Sequence, residues 1–186
     1  VERSRGLGDV YKRQILKSMN RKHDVEKYID VIDKIRSAKK GIAISSDFIV
    51  GFPGESDKDF EETLDLVKKI EFAQAFSFNY SPRPGTPSAD YEAQVPQAIK
   101  SERLNRLQGL LKEQQFQFNC QFISKIVIIL IDTVGKEGCQ LVGRTPHLQS
   151  VFFEDIRKAY KIGEFADIKI NSVKSNNLSG ELIENS

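Results

Sequence analysis

The chain contains no tryptophan, one methionine, two histidines and only two cysteines among 186 residues. Cys120 and Cys139 form no CxxC pair and have no histidine at ligand spacing, so neither a zinc site nor a disulfide framework is supported. They read as two reduced thiols that behave as small apolar side chains. The longest apolar run, Ile126 to Ile131, is far short of a membrane span, and the first residues lack the apolar core of a secretory signal. A cytoplasmic protein with no membrane partner is expected. Charge of one sign is also scarce, for the net charge is +2. Residues 1–14 hold four basic and two acidic groups, which leaves 24 of each sign in the remainder. The basicity therefore belongs wholly to the first 14 residues.

Those residues are set aside here. The chain opens on Val1, and its only methionine, Met19, lies in a segment that reads as structured. The run Asp9-Val10-Tyr11-Lys12-Arg13-Gln14 resembles the in-frame translation of a transposase adapter used to prepare sequencing libraries, and 1–14 is read as such a scar.

From Asp24 to Ala38, apolar Val25, Tyr28, Ile29, Ile32 and Ile35 recur at helical spacing, and Gly41 follows as a stop. Ile42 to Val50 is rich in β-branched residues and nearly continuous in apolar character, which predicts a strand covered on both sides. After the break at Gly51-Phe52-Pro53-Gly54, Ser56 is placed to cap a helix whose stripe is Phe60, Leu64, Val67 and Glu71. Ala75 to Tyr80 alternates like a strand, and the prolines of 81–87 then forbid regular structure. A long helix is predicted from Pro96 to about Asn119, with Leu104, Leu107, Leu111, Gln114 and Phe118 on one stripe and polar residues opposite.

Helices alternating with strands in this way predict βα units of a parallel sheet. Two strands do not make a stable sheet, so residues 15–120 read as a slice of a larger α/β barrel or open sheet. They are not expected to fold well unaided. Beyond Phe122 the period changes. Ile123–Thr133, Gln140–Arg144, Gln149–Phe153, Ala166–Val173 and Leu178–Ile183 are five short strand candidates divided by turn residues, which predicts a small closed all-β barrel of the oligonucleotide-binding type over 121–186.

Two segments could carry chemistry. Ser45-Ser46-Asp47-Phe48-Ile49-Val50-Gly51-Phe52-Pro53-Gly54-Glu55 is a strand opening into a Gly-rich loop before a capped helix, and ligands of α/β folds gather at strand C-termini. Its glycines would let a ligand approach the backbone, or would serve only a tight turn. Phe78-Asn79-Tyr80-Ser81-Pro82-Arg83-Pro84-Gly85-Thr86-Pro87 ends the second strand and holds Arg83 between prolines, a stiff mount for a guanidinium that meets a carboxylate or phosphate. A solvated arginine is the plain alternative.

Together with Leu16-Lys17-Ser18-Met19-Asn20-Arg21, these segments resemble the radical S-adenosylmethionine (SAM) methylthiotransferases, over nearly all of residues 15–185. The resemblance implies an α/β fold in which 15–120 is the C-terminal slice of a partial (β/α) radical-SAM barrel and 121–186 is a TRAM domain, an OB-like RNA-binding barrel. Gly143-Arg144-Thr145 and Gly163-Glu164-Phe165-Ala166-Asp167-Ile168 stand where that domain has such residues. It implies that Ser46, Asp47, Ile49 and Gly51 line the cofactor, that Tyr80 and Arg83 border the substrate, and that tRNA is the partner, held by residues such as Arg144, Lys158 and Lys169. Charge alone gives RNA little support, since 121–186 carries eight basic and eight acidic residues. A monomer is expected.

The family's cofactors are SAM and two [4Fe–4S] clusters, one held by a CxxxCxxC motif and one by three cysteines of an N-terminal domain. This chain has neither motif, and Cys120 and Cys139 match none of those positions, so it provides no metal ligand and no catalytic residue and is expected to be inactive alone. For the parent, the resemblance implies methylthiolation at carbon 2 of an isopentenyl-adenosine next to the anticodon. One alternative is the sister enzyme acting on an aspartate of a ribosomal protein, which prefers an acidic residue where this chain has Arg83. Another is a noncatalytic RNA-binding module.

Overall fold

The computed structural model describes residues 25–136 and 138–183. Residues 1–14, the Leu16–Arg21 segment and Asp24 lie outside them. Contacts divide the chain into two units after Leu111, inside a helix, so that Lys112–Cys120 groups with the second unit.

The first unit runs α1 (Val25–Ala38), β1 (Ser45–Val50), α2 (Asp57–Ile70), β2 (Gln74–Asn79), a 3-10 turn (Pro87–Asp90) and the first part of α3 (Gln97–Cys120). Strands β1 and β2 pair in parallel, from Ser45 opposite Gln74 to Val50 opposite Asn79. Helix α2 begins where the sequence put it. Ser56 Oγ accepts the Asp59 N–H at 3.2 Å while Asp59 Oδ2 accepts the Ser56 N–H at 2.9 Å, a reciprocal cap worth about 1 kcal/mol. The helix ends one residue before the expected stripe does: Glu71 is its left-handed C-cap at φ 53°, and Ile70 takes the last buried position. Pro87 opens the 3-10 turn, where its missing N–H is no loss.

The core of this unit is Ile32, Val50, Phe60, Leu64, Val67, Ile70, Phe72, Leu107 and Leu111. The pleat sends Phe48 and Val50 into it, with the Phe48 ring edge-on to Phe72 at 5.4 Å. The other face of the sheet is open. Ile49, Phe76 and Phe78 are 43%, 56% and 54% exposed there, with Asp47 opposite Phe76 and Ile49 opposite Phe78. The expectation of a first strand covered on both sides is thus corrected, and the strand starts at Ser45, not Ile42.

The second unit contains β3 (Ile126–Val134), β4 (Gln140–Arg144), β5 (Ser150–Glu154), β6 (Phe165–Val173) and β7 (Asn177–Leu182). They close into a barrel in the order β3-β4-β5-β7-β6, with β5 and β7 parallel and every other pair antiparallel. Closure leaves no sheet edge. Ile129, Ile131, Val151, Phe153, Ala166, Ile168, Ile170 and Leu178 fill the interior. Gly180 is required by this packing, because a Cβ there would overlap the Lys169 carbonyl oxygen and the Ile168 side chain. Asn119, 1% exposed, fastens the end of α3 to the barrel: its Nδ2 donates to the carbonyls of Lys174 (2.8 Å) and Ser175 (3.0 Å), and its Oδ1 accepts from Gln149 Nε2 (2.6 Å).

Candidate cofactor-loop and nucleic-acid sites

In the first unit Ile49, Gly51, Tyr80 and Arg83 sit at or just beyond the C-terminal ends of β1 and β2, where parallel strands offer loops free of core packing, while Ser46 and Asp47 lie nearer the start of β1. Asp47 and Ile49 share the open face with Phe76 and Phe78, so a flat apolar ligand would meet a ready surface. Ser46 does not join them. The pleat puts it, half-buried, on the opposite, helix-covered side.

Gly51 takes φ +73°, a conformation that favours glycine, and its missing side chain makes room for a neighbour within the chain. A Cβ at this position would overlap Cγ and Cδ of Lys100, whose stem crosses the loop. The Lys100 ammonium donates to the Tyr80 carbonyl oxygen at 3.3 Å. Tyr80 is buried against Phe52, with ring centroids 5.1 Å apart, and its hydroxyl has no partner among the described residues. It therefore belongs to the packing beneath the loop, a correction to its expected place at a substrate opening. Arg83 does stand free: it is exposed and makes no side-chain bond among the described residues, while its carbonyl accepts from the Thr86 hydroxyl (2.7 Å) and N–H (3.1 Å).

An ion network under the loop was missed from the sequence. Arg103, 5% exposed, donates from Nη1 to Glu55 Oε1 at 2.7 Å and to the Glu55 carbonyl at 3.1 Å, and from Nη2 to Asp57 Oδ1 at 2.6 Å. The second carboxylate oxygen of Glu55 accepts the Gly51 N–H at 3.0 Å. Burial pushes the Glu55 carboxyl above its ordinary value, against the pull of Arg103 and the Gly51 N–H in the other direction; nearby Asp59 adds to the rise. The signal was present in the spacing. Lys100, Arg103, Leu107 and Leu111 follow one helical face, so the two cations continue the buried stripe toward the helix N-terminus.

In the barrel, Arg144 Nε pairs with Asp132 Oδ2 at 2.9 Å and Lys169 Nζ lies 3.8 Å from Glu181 Oε1. Both flank the outer wall of β3, opposite Leu130 and Ile126. Lys158 lies apart from them on the loop after β5, exposed, with φ 53°. The wall between Arg144 and Lys169 is apolar: Ile126, Ile128 and Leu130 of β3 and Phe165 of β6 are all exposed.

The open face of the first unit presents apolar Ile49 and Phe78 beside the Asp47 carboxylate, the kind of surface that the flat, polar-edged adenosine of SAM requires. Iron–sulfur clusters are not accommodated by the same residues. Among those described, no three His, Cys, Asp or Glu side chains group to hold a metal, and both cysteines are free and half-buried. No helix among them is long and apolar enough to cross a membrane.

The class follows from two matches: residues 7–67 match the Radical SAM superfamily and residues 122–183 the TRAM domain. The first match takes in α1, β1 and most of α2 but ends before β2, and the second takes in all five strands of the barrel. The resemblance read from the motifs extends to particular proteins. Over 170 residues, 91% of this chain, it is 50% identical to the tRNA-2-methylthio-N(6)-dimethylallyladenosine synthase of Rickettsia felis and 49% identical to that of Rickettsia conorii. The chain spans 38% of the length of each of these relatives.

Proposed function

We propose that this chain is part of a radical-SAM methylthiotransferase that acts on tRNA, adding a methylthio group at carbon 2 of an isopentenyl-type adenosine next to the anticodon. The observation that carries the proposal is the conjunction, in one chain half identical to synthases of that name, of a SAM-type strand and loop with a TRAM barrel. SAM would supply both the methyl group and the radical, and iron–sulfur clusters held by the rest of the parent would supply electrons. In this chain, Asp47, Ile49 and the Gly51 backbone border the adenosine, Arg83 meets the nucleic acid on its proline-stiffened loop, and the barrel binds the tRNA. The parent works as a cytoplasmic monomer, with residues 15–120 and 121–186 as its two portions in this chain.

The exposure of Arg83 supports tRNA over a ribosomal-protein substrate, since a guanidinium with no side-chain partner among the described residues is available to a phosphate. The test is methylthiolation by the full-length protein of isopentenylated tRNA and of the ribosomal protein, with and without Arg83→Asp. Turnover of tRNA that falls at least about tenfold in the variant, equivalent to ~1.4 kcal/mol, is the expected result. An Arg83→Asp enzyme as active on tRNA as the parent removes Arg83 from the substrate site, and activity on the ribosomal protein alone overturns the tRNA reading.

A further inference from the structure

Glu55, half-buried as a residue but with its side chain only 8% exposed, hydrogen-bonds in two directions. One carboxylate oxygen holds the Gly51 N–H at the exit of β1, and the other is held by the Arg103 guanidinium of α3. A charged relay thus runs from the loop backbone to the helix. Lys100, one turn before Arg103, passes through the space that a side chain on Gly51 would fill. Arg103 therefore binds the Glu55 end of the Gly51–Glu55 loop, and the Lys100 stem lies against the Gly51 end while its ammonium donates to the Tyr80 carbonyl.

For stability alone, this is an inefficient arrangement. A buried ion pair pays heavily in lost hydration, and apolar residues of the same volume commonly do as well or better. What the pair provides that apolar packing does not is direction: two oxygens and a planar fork fix the backbone of residue 51 in one orientation.

We propose that Arg103, assisted by Lys100, is a positioning residue that acts through Glu55 to hold the loop after β1 in the shape that receives the nucleoside. The proposal rests on the cofactor reading above. The charged groups facing Glu55 are Arg103 of α3 and Asp59 of α2, with Asp57 bound to the far side of Arg103.

The experiment uses the full-length protein and 5′-methylthioadenosine, a nucleoside thioether, as probe. Calorimetry gives its affinity and the unfolding temperature for the parent, Arg103→Met and the double variant Arg103→Met/Glu55→Gln. The single variant strands a buried carboxylate, so both quantities fall. The double variant removes that charge and regains most of its unfolding temperature, but it lacks the relay and binds about tenfold more weakly than the parent, which is ~1.4 kcal/mol. Affinity that returns together with the unfolding temperature shows a merely structural tie and overturns the proposal.

The pH profile separates the same two roles. Protonating Glu55 opens the relay, so affinity falls as pH drops through its raised value, and Glu55→Gln abolishes that step. Folding stability moves the other way in this window. A carboxyl whose folded value is raised contributes stability that is present below its unfolded value and lost as pH rises through the folded one. If the parent does not bind the probe, the cofactor reading fails first. Hydrogen exchange at the Gly51 amide then decides the relay, with faster exchange in the double variant supporting it and unchanged protection ending it.

Discussion

Each of the five strands of the barrel has two hydrogen-bonded neighbours, whereas among the described residues β1 and β2 have one neighbour each. Both regions bury apolar side chains on one side of a sheet, so interior composition does not separate them. Closure does. In the barrel every strand N–H and C=O row faces another strand, and the inner side chains Ile129, Ile168 and Ile170 are wholly enclosed. In the α/β unit the same period of two leaves Ile49, Phe76 and Phe78 facing outward across a sheet whose two strands pair only with each other among the described residues. The first region is complete as a packing unit and the second is complete only on its helix-covered side.

The hardest test of that contrast is dissection. Residues 121–186 should give a single cooperative thermal transition in calorimetry, and residues 15–120 should give none. A sharp transition in 15–120 would mean that the open face is no obstacle to folding. A smaller effect separates the two kinds of apolar residue. Ile168→Ala should destabilise the barrel of the whole chain by about 2–5 kcal/mol in denaturant titration, because it opens an enclosed cavity. Phe78→Ser should leave that transition within ~0.5 kcal/mol while reducing the binding of a hydrophobic dye. Smallest of all, Lys169→Gln breaks a half-exposed pair with Glu181, and the barrel should lose less than about 0.5 kcal/mol. A loss of several kcal/mol would mean that the β6–β7 wall is held by charge instead of by its interior.

The barrel was the more legible region because its signals are local. Alternation and turn residues placed β4 without error and the other four strands within a few residues; β3 starts at Ile126 because Ser124 turns left-handed at φ 65° just before it. In the α/β unit the elements were legible and their surroundings were not. The near-continuous apolar run at 42–50 carries the signature of a strand buried on both faces, and the sequence holds no record of whether the covering elements lie in the same chain. The candidate site shows the same division. Asp47 and Ile49, expected at the cofactor from their motif, sit on the open face, while Ser46, expected beside them, points the other way. Arg103 and Lys100 escaped notice because charge was read as exposure. Their i, i+3 spacing in line with Leu107 and Leu111 was the evidence that they are buried.

Strand β7 is the last of the described strands in the chain and yet stands inside the wall, between β5 and β6. The other four strands can pair around β3 through the β4 hairpin, the β4–β5 pair and the β3–β6 pair, but they remain an open ribbon until Asn177–Leu182 arrives. The fold therefore has a keystone strand that follows the other four in the chain. A translation product stopped, or cut by a protease, before Asn177 would present two raw strand edges and be marked for aggregation or removal. Closure of the barrel thus depends on the one strand that comes after the other four.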